Sequence, residues 1–163
     1  MPRRSTKTGA ARTALSGDYD AIVCGASFAG LATARELAGA RVLLLDRYDI
    51  GERQTSACAA PTQWLEVLGL AASIKQTFEQ LVLHTPHGTM QFPLPWPFST
   101  FDYRTLCELL DEQNDAEFET AKVEGRAAAG PGLVAVSTDR GEVTAPLVVD
   151  ALGWRRVLGT NGY

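Results

Sequence analysis

The sequence predicts an α/β protein built around a parallel β-sheet. Three short apolar runs, at 21–24, 42–45 and 147–149, have the composition of strands that are buried on both faces. Between the first two runs, residues 31–38 are strong helix formers, and Gly39 is a natural stop for that helix. Strand, helix and strand therefore follow one another closely, which is the order of a βαβ unit with two parallel strands.

A glycine-rich turn joins the first strand to the helix. Its sequence, Gly25-Ala26-Ser27-Phe28-Ala29-Gly30, is a G-x-S-x-x-G variant of the G-x-G-x-x-G dinucleotide-binding motif. Gly25 permits a sharp turn out of the strand, and Gly30 permits the helix and strand to pack closely. The unpaired N–H groups at the helix start favour a pyrophosphate. Ser27 replaces the second glycine, and its small hydroxyl side chain could donate to a phosphate oxygen.

An acidic residue stands where such a motif requires one. Asp46 closes the second strand, and there an acid can bind the hydroxyl groups of a ribose. Strand, turn, helix, second strand and acid together predict a Rossmann-like FAD- or NAD(P)-binding βαβ fold. The alternative is a purely structural βαβ unit with a chance glycine turn.

The middle of the chain predicts a long loop, a helix and a short antiparallel pair. The polar loop after the second strand contains Arg47 and Arg53, and Arg53 could reach a phosphate or could be a solvated surface residue. A helix is predicted over 62–68, stopped by Gly69. Residues 80–92 predict two short strands around a turn. The proline-rich run after them, 93–103, is predicted to be irregular, and its aromatic residues either cap the core or form a wall for a flat ring system.

The last third predicts a helix, a hairpin and a final buried strand. Asp102 is a plausible N-cap of an amphipathic helix that runs to Leu110. A strand is predicted over 117–123, and a small antiparallel hairpin is predicted from 133–138 and 142–145. The closing strand begins at Leu147 and ends at Gly153.

Composition limits the partners and the compartment. Residues 1–17 contain four basic and no acidic residues and are expected to be a disordered tail, which leaves 18–163 as one partial nucleotide-binding domain. That domain has a net charge of −8, which argues against nucleic acid as a partner. No apolar run approaches the roughly 20 residues of a membrane span. Three widely spaced cysteines fit free thiols in the cytoplasm, and two isolated histidines make a poor metal site, so no metal is predicted.

Several motifs together resemble one group of enzymes. They are the glycine turn with Asp46, the loop that ends in Ala59-Ala60-Pro61-Thr62, the helix that Arg104 opens, and the closing run APLVVDALG. In this combination the chain resembles, from residue 19 to 158, the N-terminal part of FAD-dependent oxidoreductases of the geranylgeranyl reductase, aromatic hydroxylase and flavin halogenase superfamily.

The resemblance implies a cofactor and a set of cofactor-binding residues. FAD would place its pyrophosphate on the glycine turn and its adenosine ribose on Asp46, while Arg104 would lie against the cofactor. The end of the last strand, with Ala151 and Gly153, would pass beside the nucleotide. NAD(P)H would be the reductant of an unidentified small-molecule substrate, which could be apolar. No catalytic acid or base stands out, which fits chemistry that the cofactor itself carries.

The resemblance also implies that part of the fold is missing. Members of that superfamily continue into a substrate-binding sheet and a Gly-Asp turn that holds the flavin, and neither follows Gly153 here. The chain is therefore expected to be C-terminally incomplete, and to associate with itself or with a partner chain that completes the fold. The alternatives are a non-catalytic or truncated adenine-dinucleotide-binding module, or an NAD-binding domain, since Asp46 suits an NAD ribose equally well.

Overall fold

The computed structural model describes residues 13–54, 57–155 and 157–159. Along the chain, its strands and helices are β1 (Ala21–Cys24), α1 (Phe28–Glu36), β2 (Val42–Asp46), β3 (Ala59–Pro61), α2 (Thr62–Val67), β4 (Ile74–Thr85), β5 (Gly88–Phe101), α3 (Tyr103–Asp111), β6 (Glu117–Thr120), β7 (Val123–Gly130), β8 (Leu133–Thr138), β9 (Gly141–Ala145) and β10 (Leu147–Asp150). Short 3-10 turns lie before β4, at Ala71–Ser73, and after β10, at Gly153–Arg155. None of the helices in these ranges is long and apolar enough to cross a membrane.

A four-stranded parallel sheet forms the centre of the molecule, with the order β10-β1-β2-β6. The α/β class and the parallel βαβ unit predicted from the sequence are confirmed. All of β1 and the first four residues of β2 are buried, as their apolar composition predicts. The same prediction is wrong for β10, whose residues are exposed or only half-buried because it is an edge strand of the sheet. The glycine turn follows directly at the carboxyl end of β1.

The two faces of the parallel sheet pack against different layers. On one face, Val23 and Leu44 pack with Leu31 of α1 and with Leu106 and Cys107 of α3. On the other face, the alternating residues of the same strands pack against the antiparallel sheet of β7, β8 and β9. Successive side chains of a strand point to opposite faces, so a fully apolar run supplies both cores at once.

The antiparallel sheet is larger than the predicted hairpin. The hairpin of β8 and β9 is present, but β7 pairs along the other edge of β8 and makes a three-stranded sheet. The single strand predicted over 117–123 is in fact the whole of β6 and the first residue of β7. β6 ends at Thr120, and Ala121 is fully buried between the two sheets before β7 begins at Val123.

The proline-rich run is not irregular throughout, contrary to the prediction. It belongs to β5, which pairs with β4 on one side and with β3 on the other. Pairing shifts register between Pro93, which faces Gln80, and Phe98, which faces Phe78. Residues 94–97 therefore form a bulge opposite Glu79, and two prolines fall in it. Proline is tolerated there because a bulge removes the need for its missing N–H group.

Two other expectations differ from the structure in detail. The helix α1 begins at Phe28, not at residue 31, because Ser27 already has the extended conformation of an N-cap. Residues 1–12 of the expected basic tail lie outside the described residues. The described end of that tail packs on the domain, since Leu15 is buried and its N–H donates to the Arg140 carbonyl at 2.7 Å.

Candidate nucleotide-binding site

The glycine turn lies at the carboxyl ends of β1 and β10. The N–H of Gly25 donates to the Leu45 carbonyl at 2.7 Å, and the N–H of Ala151 donates to the Cys24 carbonyl at 2.8 Å. Gly25 has a φ of +111°, and a Cβ at this position would come within 2.3 Å of the Ala151 carbonyl oxygen. Glycine is therefore required here both by the backbone angle and by the closeness of the next strand.

The start of α1 is open to an anion. Ser27 is the N-cap, but its side chain makes no capping hydrogen bond within the described chain, and the first turn contains no acidic residue. Ser27 and Phe28 are half-buried and Ala29 is exposed, so solvent reaches this helix end. Free N–H groups and the positive end of the helix dipole together favour a phosphate oxygen.

Asp46 lies directly beside this turn. Its Oδ2 accepts a hydrogen bond from the Ala26 N–H at 2.9 Å, and its Oδ1 accepts one from the Tyr48 N–H at 3.0 Å. The carboxylate is thus oriented by two backbone groups while its residue stays only partly buried. Each carboxylate oxygen has a further lone pair, which can accept from a ribose hydroxyl.

The two arginines of the following loop flank one tyrosine. The guanidinium carbons of Arg47 and Arg53 each lie 4.8 Å from the centroid of the Tyr48 ring. Arg53 also donates from Nη1 to the Tyr48 hydroxyl. Both arginines are exposed, so two positive charges lie on a loop that starts at the ribose-binding candidate Asp46.

Arg104 and Gly153 are less closely tied to the turn. Arg104 is exposed and its backbone packs against Gly51, where a Cβ would come within 3.0 Å of the Arg104 Cα. This contact places Arg104 beside the Arg47–Arg53 loop. Gly153 is exposed, and a Cβ built on it would meet no described atom within 4 Å.

The residue that sequence reasoning missed is the neighbour of Arg104. The Tyr103 hydroxyl donates to Ser27 Oγ at 3.0 Å, and its ring lies edge-on to Phe28 with 6.5 Å between the centroids. Burial raises the pKa of Tyr103 to about 12. The predicted N-cap at Asp102 was the available signal, because it places residue 103 on the first turn of α3, but no local pattern indicates that this turn meets α1.

These groups match the chemistry of an adenosine diphosphate. An uncapped helix start suits the diphosphate, and an acceptor-only carboxylate suits ribose hydroxyls. Across 13–54, 57–155 and 157–159, no group of three or more His, Cys, Asp and Glu side chains could hold a metal ion. The uncapped start of α1 and the Asp46 carboxylate therefore lie close enough to contact one small ligand.

Comparison with known proteins shows which solved structures share this fold. No family model and no curated protein sequence matches the chain. Among solved structures, the flavin-dependent brominase Bmp2 matches with a TM-score of 0.69 and 17% identity, over 85% of this chain and 39% of Bmp2. A geranylgeranyl bacteriochlorophyll reductase-like protein from Thermoplasma acidophilum matches with a TM-score of 0.70 and 15% identity, over 89% of this chain and 44% of that one.

Halogenase PltM is a third structure with this fold. It matches with a TM-score of 0.66 and 19% identity over 82% of this chain and 35% of its own, and it has also been crystallised with phloroglucinol and FAD. The chain thus spans about two fifths of the length of these proteins. The resemblance to the geranylgeranyl reductase and flavin halogenase group is confirmed at the level of the fold, which this chain shares with these solved structures over part of their length.

Proposed function

We propose that this chain binds the ADP half of FAD and is part of an FAD-dependent oxidoreductase. One observation carries the proposal: the Asp46 carboxylate is fixed 2.9 Å from the Ala26 N–H, at the open start of α1. A ribose acceptor and a phosphate-binding helix end are then adjacent, as the two parts of an adenosine diphosphate require.

Each predicted residue has a role in this proposal. The turn from Gly25 to Gly30 binds the pyrophosphate through the N–H groups at the start of α1, and Asp46 accepts from the ribose hydroxyls. Arg47, Arg53 and Arg104 supply positive charge along the loop beside the diphosphate. Ala151 and Gly153 keep the carboxyl end of β10 free of bulky side chains where the nucleotide passes.

The preference for FAD over NAD rests on the fold. The solved structures with this fold include flavin-dependent enzymes, and one of them was crystallised with FAD. When bound, FAD supplies the electron transfer, NAD(P)H serves as its reductant, and the chain's own residues bind and orient the cofactor. A small-molecule substrate and a cytoplasmic location complete the proposal. Cys24, Cys58 and Cys107 form no disulfide with one another, which supports a reducing compartment.

Titration calorimetry with ADP and with ADP that carries a ribose 2′-phosphate tests the site. The parent should bind ADP at least about tenfold more tightly than the 2′-phosphorylated ligand, because Asp46 would face the negative charge of the added phosphate. Asp46→Asn should bring the affinities for the two ligands closer together, because the repulsion is removed. Asp20→Asn is a matched control. Asp20 also accepts a hydrogen bond from a backbone N–H, that of Arg41 at 2.7 Å, but it lies at the opposite end of β1.

The same titrations separate the candidate functions. FAD that competes with ADP supports the flavin assignment, whereas NAD that competes while FAD does not would favour an NAD-binding domain. Binding of ADP and FAD without flavin-dependent NAD(P)H oxidation would favour a non-catalytic module. A parent protein that binds neither ADP nor FAD would exclude the proposed function.

A further inference from the structure

Tyr103 connects α3 to the glycine turn through a hydrogen bond to Ser27. Its hydroxyl donates to Ser27 Oγ at 3.0 Å across 76 residues of sequence. Tyr103 is buried, with only 8% of the residue exposed. Its ring forms a T-shaped pair with that of Phe28, the first residue of α1, at an interplanar angle of 75°. The phenol is therefore held on both its polar and its apolar side against the start of α1.

The start of α3 is fixed by its own cap, which fixes Tyr103. Asp102 Oδ1 accepts from the Thr105 N–H and from Thr105 Oγ1, each at 3.0 Å. Lys75 forms an ion pair with the other carboxylate oxygen at 3.3 Å. A capped and ion-paired residue directly before Tyr103 fixes the backbone that carries this side chain. Within α3, the Tyr103 hydroxyl also lies within hydrogen-bond reach of the Cys107 thiol.

The direction of this hydrogen bond decides what Ser27 can do. A serine hydroxyl has one hydrogen and two lone pairs. Because the Tyr103 hydrogen occupies one lone pair of Ser27 Oγ, the hydrogen of Ser27 must point away from Tyr103. The pKa of Tyr103 is raised to about 12, chiefly by burial, so the phenol remains a donor at neutral pH. Ser27 itself is half-buried at the uncapped start of α1.

We propose that Tyr103 is a positioning residue, which orients the Ser27 hydroxyl to donate to a phosphate of the bound adenosine diphosphate. Ser27 stands where the dinucleotide motif has its second glycine, and that glycine lets the phosphate approach the backbone. Here the hydroxyl of Ser27, held by Tyr103, replaces part of that backbone contact. The inference rests on the proposed function, because it deepens the role of the same site.

The test compares ligands that differ only in their phosphates. ADP and adenosine are titrated into the parent and into Ser27→Ala, Ser27→Gly, Tyr103→Phe and the two double variants. Tyr19→Phe is the matched control, because Tyr19 is a similarly buried tyrosine, 7% exposed, that packs in the other core. Circular dichroism melts establish that each variant is folded at the assay temperature.

The expected pattern is specific to the phosphates. Ser27→Ala should weaken ADP binding about tenfold, as loss of a hydrogen bond to a charged group does, and Tyr103→Phe about three- to tenfold. Adenosine affinity should stay unchanged in both variants, and Tyr19→Phe should change neither affinity. Tyr103→Phe should add nothing in the Ser27→Ala or the Ser27→Gly background, because the hydroxyl that it orients is absent.

Several results would overturn the inference. Equal losses for ADP and adenosine would assign Tyr103 a purely structural role, and so would additive losses in the double variants. If Tyr103→Phe does not fold, 3-fluorotyrosine at position 103 is followed by fluorine NMR, where ADP but not adenosine should shift the resonance. A resonance that ADP leaves unmoved would contradict the inference. A parent that does not prefer ADP to adenosine would instead exclude the proposed phosphate site, and this inference with it.

Discussion

The carbonyl oxygen of Gly25 occupies the space that a side chain on Gly30 would need. A Cβ built on Gly30 would come within 1.7 Å of that oxygen, which is a backbone atom and cannot rotate away as a flexible side chain could. The helix α1 therefore approaches β1 as closely as two backbones permit. This closeness brings the start of α1 to the carboxyl ends of the parallel strands.

Gly30→Ala should destabilise the protein severely. The added methyl group cannot fit unless α1 moves away from β1, so we expect a loss of more than about 3 kcal/mol in the free energy of unfolding. Gly125→Ala is the control, because a Cβ at Gly125 would meet no described atom within 4 Å. Urea denaturation of both variants measures the difference. Similar midpoints for Gly30→Ala and the parent would show that the turn is placed wrongly.

The local part of the fold could be predicted from the sequence because its signals are contiguous. β1, the glycine turn, α1 and β2 lie within 21–46, and each is marked by its own composition. Asp46 could be found by its position after β2 alone. The predicted N-cap Asp102 is also a local feature, since its partner Thr105 lies three residues further on.

The parts that the sequence could not indicate depend on distant partners. Pro93 lies in a strand because β4 offers Gln80 as its neighbour, and the other prolines fit only because a bulge forms there. Tyr103 meets Ser27 across 76 residues, and no periodicity reports such a contact. Leu15 belongs to a stretch with a tail-like composition, yet it is buried beside β9 because it pairs with Gly141.

Arg140 attaches this N-terminal stretch to the two sheets. Its guanidinium pairs with Glu119 at 2.7 Å, with the Arg140 side chain only 10% exposed, and it also donates to the carbonyls of Thr13 and Thr120. Arg140→Ala leaves Glu119 without this partner and should cost about 2–4 kcal/mol. Lys122→Ala removes an exposed pair with Glu124 and should cost less than about 1 kcal/mol. Thermal melts that show equal shifts for the two variants would contradict this prediction.

The β4–β5 ribbon carries an exposed apolar face. Leu81 pairs with Phe92 and Leu83 with Met90, and all four side chains are between 43% and 47% exposed. Exposed apolar strands favour association, so the purified chain should self-associate with rising concentration. Leu81→Lys should raise the concentration at which light scattering reports association. Gln91→Lys is the control, because it adds the same charge on the opposite face of the ribbon, and equal effects of the two changes would show that this face is not responsible.

The three cysteines should differ strongly in reactivity, because the thiolate is the nucleophile and burial suppresses it. Burial raises the pKa of Cys24 to about 12 and that of Cys107 to about 11, and both side chains are fully buried. Burial also raises the pKa of Cys58, but this residue remains partly accessible. Iodoacetamide at pH 8 should therefore label Cys58 first. Mass spectrometry of the peptides identifies the labelled cysteine.

Raising the pH should increase labelling of Cys58 well before that of the two buried thiols. In the unfolded chain all three thiols lose their protons near pH 9, whereas the folded protein keeps those of Cys24 and Cys107 to about pH 11–12. The folded state then binds more protons, so the free energy of unfolding should fall as the pH rises through this range. Labelling in urea, where all three should react alike, is the control. Rapid labelling of Cys24 in the folded protein at pH 8 would contradict its burial between the sheets and hence the packing of β1.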